Sequence, residues 1–128
     1  MSNYVDLERD NILVDDGNEG KVIIRDLADI PGGRALDVSS WSEDVIKAGH
    51  VIKYTASTKA FAPLGVSDGA YASLSEGESY AGVLKTNVLA KKPFGAIMTM
   101  GEVNAAASPY PVTDAIASAL PQIKFLYR

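Results

Sequence analysis

Lys92-Pro-Phe-Gly-Ala-Ile-Met-Thr-Met-Gly-Glu-Val-Asn104 reads as a buried strand, Phe94 to Met100, followed by a glycine turn. Its apolar residues do not alternate cleanly with polar ones, which fits a strand covered on both faces in a small closed structure. Ala105 to Pro121 follows as a small-residue crossing and a short helix. Val112, Ile116 and Leu120 lie four residues apart, Pro111 or Thr113 begins the helix and Pro121 stops it. Between Lys92 and Pro121 there is no His or Cys, and the only carboxylates are Glu102 and Asp114. So long an ordered stretch with so little reactive chemistry points to packing and assembly.

Outward from this segment, short apolar runs alternate with turn residues at spacings typical of all-β chains. Arg34 to Val38 reads as a short strand, and His50 to Tyr54 pairs with Lys59 to Leu64 as a hairpin. Ala70 to Leu74 is a further strand after a Gly65–Gly69 loop. Tyr80 to Leu89 joins Phe94–Met100 at the sheet centre, and Ile123 to Tyr127 closes the chain. Ser42 to Ala48 suits one helical turn, capped by Ser42 and ended by Gly49. The expected fold is mainly β, a small compact β-barrel or β-sandwich with one or two short helices and an extended N-terminal arm.

The chain has 128 residues, enough for one hydrophobic core and too few for two. No run approaches the length of a membrane span. The first ten residues are acidic and lack the apolar core of a secretory signal. Without cysteine, disulfides and thiolate sites are excluded. Of the sixteen acids, eight fall in residues 1–30 against three bases, leaving eight acids and nine bases for residues 31–128. An acidic segment on a near-neutral body repels a phosphate backbone, which argues against nucleic acid. Ile30-Pro-Gly-Gly33 marks the boundary, giving an acidic arm over 1–30 and a β-rich body over 31–128.

The reactive side chains do not assemble into a site on paper. Gly65-Val-Ser-Asp-Gly69 matches the nucleophile pattern G-x-S-x-G, but that pattern needs a strand–turn–helix context and a later His. The only His, His50, lies upstream. Asp37, Glu43 or Asp44 are its available carboxylate partners, and no spacing requires any of them. The Asp15–Glu19 cluster lacks the spacing of a calcium loop, and Pro31-Gly-Gly-Arg34 lacks that of a phosphate loop. Glu76 and Glu78 flank Gly77 on a polar loop. No catalytic residue, cofactor or metal ligand is expected. Trp41, the single tryptophan, stands in a polar-flanked stretch, either as a cap on the core or as an interface anchor. Tyr80, Tyr110, Phe125 and Tyr127 carry the same two readings.

Several segments in order resemble the head fibre and head decoration proteins of tailed bacteriophages. They are Gly33 to Val38, Ile46 to Ile52, Ala62 to Val66, Tyr80 to Leu84, Gly95 to Asn104 and Pro109 to Ile116. The resemblance implies a non-enzymatic, β-rich virion protein on the outer surface of the capsid, made in the host cytoplasm. It implies a homotrimer bound to the major capsid protein, with other head-fibre subunits as further partners and no membrane or nucleic acid. It also gives the arm a role, adding a strand to the shell. Tyr4, Leu7, Ile12 and Val14 would then bind the partner, together with Trp41. A head fibre continues into a trimeric stalk, whereas this sequence ends at Arg128, which suits a capsid-proximal module, a decoration protein or a fibre anchor. The alternative is a small β-barrel that binds carbohydrate by stacking it on Trp41 and tyrosines.

Overall fold

The computed structural model describes residues 19–128. A short helical turn α1 (Glu19–Val22) leads into β1 (Ile23–Asp29), and β2 (Arg34–Ala35) and β3 (Val45–Ile46) follow. β4 (Val51–Thr55) and β5 (Ala60–Pro63) form a hairpin, as do β6 (Val66–Ser67) and β7 (Ala70–Tyr71). Then come β8 (Glu78–Leu84), β9 (Val88–Leu89), β10 (Phe94–Gly95) and β11 (Ile97–Asn104). A 3₁₀ turn (Ala105–Ala107), helix α2 (Asp114–Ala119) and β12 (Ile123–Leu126) complete the chain.

The main sheet has six strands in the order β1-β11-β8-β4-β5, with β12 parallel to β11 beside its second half. Its end strands β1 and β5 do not pair, so the sheet is open and no barrel closes among the described residues. The mainly β expectation holds. Consecutive residues of a strand face opposite ways, and the core divides accordingly. Val51, Val83 and Met98 pack on one face with Val22, Leu64, Val103, Ile116, Leu120 and Ile123. Ile52, Leu84 and Ile97 pack on the other with Leu36, Ile46 and Val88. Both faces of the central strands are therefore covered, which explains why Phe94–Met100 lacks a clean alternation.

Helix α2 starts where its chemistry dictates. Thr113 has extended backbone and its Oγ1 accepts the Ile116 amide at 3.3 Å, while Ile116 buries its side chain against the sheet. Thr113→Ala is expected to lower folding stability by about 1 kcal/mol, read by urea denaturation.

Several boundaries differ from the sequence reading. Residues 22–29, assigned to the arm, belong to the body: Val22 is fully buried and β1 pairs with β11 along its length. Asp26 and Asp29, counted among the arm's acids, both pair with Lys85 beyond β8. Val45–Ile46 is a strand paired with β9, not a helical turn, because Ile46 gains complete burial in that pairing. The Gly65–Gly69 loop is a tight hairpin whose turn residues Asp68 and Gly69 both have positive φ, as a primed hairpin turn requires. The run Tyr80–Leu89 breaks after Leu84, and Phe94–Gly95 pairs with β2 while β11 runs on to Asn104.

Candidate functional site

His50 is buried just before β4. A carbonyl can only accept, so the 2.8 Å contact with the Leu64 oxygen places the proton on Nε2. Trp41, Tyr71 and Tyr110 surround the imidazole, their ring centres 4.9, 5.1 and 5.7 Å away and each ring nearly perpendicular to it. Burial pushes the imidazole down to about 4, against the opposing pull of the Leu64 carbonyl. Burial likewise pushes the Tyr71 hydroxyl well above the usual phenol range, and its oxygen accepts the Val51 amide at 3.2 Å. The ring's hydrogen bond thus goes to a backbone carbonyl and not to Asp37, Glu43 or Asp44. This cluster is a neutral aromatic plug that joins the end of β5 to the start of β4.

Beside the plug runs a groove of about 320 Å³. Its floor follows from strand register. Lys53 stands opposite Ala62, and Thr55 stands opposite Ala60 on one side and Glu78 on the other. These five residues share one face of β5, β4 and β8, and the two alanines leave it hollow at the sheet edge. Its wall is the 37–43 loop, held along β5 by the Asp37 amide donating to the Phe61 carbonyl at 2.7 Å. Trp41, Glu43 and Tyr110 line both this groove and a second pocket of about 230 Å³ that reaches His50, and the two aromatic rings stand between them.

The groove's charges are largely committed. Lys53 Nζ bonds Glu78 Oε2 at 2.9 Å, and Glu78 Oε1 accepts the Ser75 amide at 2.8 Å. The Ser75 amide and then Lys53 hold the Glu78 carboxyl below its ordinary range. The Ser39 hydroxyl and amide do the same for Asp37. Glu43 is exposed on the rim.

At the opposite end of the sheet, β1 presents apolar side chains. Ile23 and Arg25 face consecutive β11 residues, Val103 and Glu102, so Ile24 is an extra residue bulged out of the ladder. Leu27 is likewise extra between Asp26 and Ala28, which face Gly101 and Met100. Ile24 is 44% exposed, Leu27 60% and Met100 37%.

No family model, curated protein or solved structure matches the chain.

Of the expected partner-binding residues, Tyr4, Leu7, Ile12 and Val14 lie outside the described residues. Trp41 is half-buried, packs on the core and borders the groove. Its indole N–H points back at the Val45 carbonyl, 3.4 Å away. Ser67 sits in the β6–β7 hairpin with no helix after it, so the nucleophile-like motif is a turn. No three His, Cys, Asp or Glu residues come together as a metal site among the described residues. The groove escaped sequence reasoning because its signal is Ala60 and Ala62, a small-residue alternation that means a trough only once the 37–43 loop is placed beside it.

Proposed function

We propose that the chain is a structural, non-enzymatic subunit of a phage head, bound to the outer capsid surface as a decoration, cementing or fibre-anchoring protein. It acts as a homotrimer on the major capsid protein. The single observation that carries this reading is the doubly bulged β1. Each bulge lifts a large aliphatic side chain out of the ladder into water, at the open end of the sheet. Apolar surface gains about 25 cal/mol per Å² when a partner covers it, and exposed apolar patches of this kind mark interaction surfaces. The order of segments resembling head proteins supports the same reading. The small strand pairs that cover the main sheet make the layered arrangement closer to a sandwich than to a barrel.

Weak contacts repeated in a trimer reinforce one another through effective concentration. A protein that binds only the assembled shell stabilises it by about 2.7 kcal/mol per site at one hundred times its dissociation constant. The expected result is co-sedimentation with undecorated, expanded capsids and a trimer mass by light scattering. Leu27→Asp, at an exposed position, is expected to leave the fold intact and weaken co-sedimentation at least tenfold. Wild-type protein that stays in the supernatant at every salt concentration overturns the reading.

A further inference from the structure

We infer that the groove between the 37–43 loop and the β4–β5–β8 face is a binding site for a neutral saccharide. Its floor is preorganised: Lys53 and Glu78 are fixed to each other and to the Ser75 amide, so their remaining capacity is held in place before a ligand arrives. Around them the lining alternates donors and acceptors. The hydroxyls of Ser39, Ser42, Thr55 and Thr58 do both, while Asp37 and Glu43 accept. Trp41 and Tyr110 add aromatic surface at one end. A pyranose has the matching chemistry, with vicinal hydroxyls at its rim and C–H groups on its faces. The volume of about 320 Å³ lies at the small end of the range for ligand pockets, which suits a short saccharide.

Charge selects among ligand classes. Asp37, Glu43 and Glu78 against Lys53 leave the groove with a net charge of −2, which repels phosphates, sulfates and uronic acids. A basic peptide is less suited than charge alone suggests. Glu78 is already paired with Lys53, and Asp37 is engaged by Ser39 within reach of the same ammonium. Only the exposed Glu43 remains, and a single rim carboxylate attracts a cation weakly. A neutral polyol uses all of these groups without displacing any.

The reading is independent of capsid binding, and its test needs only the isolated protein. Trp41 is the sole tryptophan and borders the groove, so its emission reports occupancy. The probes are neutral trisaccharides of glucose, mannose, galactose and N-acetylglucosamine, with trilysine and a sulfated trisaccharide as charged controls. At least one neutral sugar is expected to give a saturable emission change and saturation-transfer signals at millimolar concentration or below. Ala62→Leu fills the floor from an edge strand without entering the core, and is expected to weaken that binding at least tenfold with an unchanged unfolding midpoint. Trp41→Ala removes the aromatic partition but also part of the core, so Ala62→Leu decides. No response to any neutral sugar overturns the proposal, as does stronger binding of either charged control or unchanged affinity in Ala62→Leu.

Discussion

Acidification from neutrality to about pH 4 is expected to remove roughly 3 kcal/mol of folding stability through His50 alone. In the unfolded chain the imidazole titrates near its ordinary 6.5, whereas in the fold burial holds it at about 4. Between those values the unfolded state binds the additional proton, so stability rises with pH across that window and falls on acidification. The stabilising difference is complete above pH 6.5 and is lost progressively towards 4. The carboxylates act elsewhere. Asp29, Asp37 and Glu78 are all lowered in the fold, so their contributions are lost only as the pH falls into and through the ordinary carboxylate range. A loss already under way at pH 5.5 thus belongs to His50. Urea denaturation at half-unit steps from pH 7 to 4 measures it, and His50→Gln, which keeps a donor but does not titrate, is expected to flatten the slope above pH 4.5. A wild-type slope that persists in His50→Gln would assign the effect to another group.

How much of the molecule was legible follows from the range of the deciding interactions. The β4–β5 hairpin, the Thr113 cap and the final strand rest on signals within a few residues, and the sequence reading places them close to where they are. The errors share a longer range. Ser42 offered a helix cap, but Val45 and Ile46 pair with Leu89 and Val88, a contact that local propensity does not register. The acids of β1 read as part of an acidic arm because their counter-ion, Lys85, stands 56 residues from Asp29. Trp41 was visible as a candidate; the groove it borders was not, since it needs the register of three strands and a loop laid along β5.

These placements leave the two ends of the sheet with opposite characters. β1 ends it with bulged aliphatic side chains, and β5 ends it with alanines under a polar loop. Bulges also spoil an edge for regular strand addition, so the contact proposed at β1 is one of side chains rather than a continued ladder. A partner seated there leaves the β5 groove open to solvent, and the two proposed activities do not compete for surface.

The largest single-residue effect is expected at Gly101, where alanine should cost about 3–5 kcal/mol, summing overpacking with backbone strain. Gly101 lies in β11 between Asp26 of β1 and Ile123 of β12, at the register shift that creates the Leu27 bulge. A Cβ there would run into the Arg25 carbonyl oxygen and come within 3.0 Å of Met98 Sδ. The oxygen belongs to the paired strand, so relief requires moving β1 away from β11 rather than turning a side chain. The backbone φ of 153° adds a conformation that L-residues avoid. Gly82 in β8 is the parallel case, its Cβ position blocked by the Met98 carbonyl oxygen across the β8–β11 pair. Gly77 separates the two costs, because its φ is also positive, at 82°, but nothing lies within 4 Å of an added Cβ. Gly77→Ala is therefore expected to cost only about 1–2 kcal/mol. Equilibrium urea curves for the three variants decide the matter. If Gly101→Ala is no less stable than Gly77→Ala, β1 does not press against β11 as described, and the bulges that expose Ile24 and Leu27 lose their structural basis.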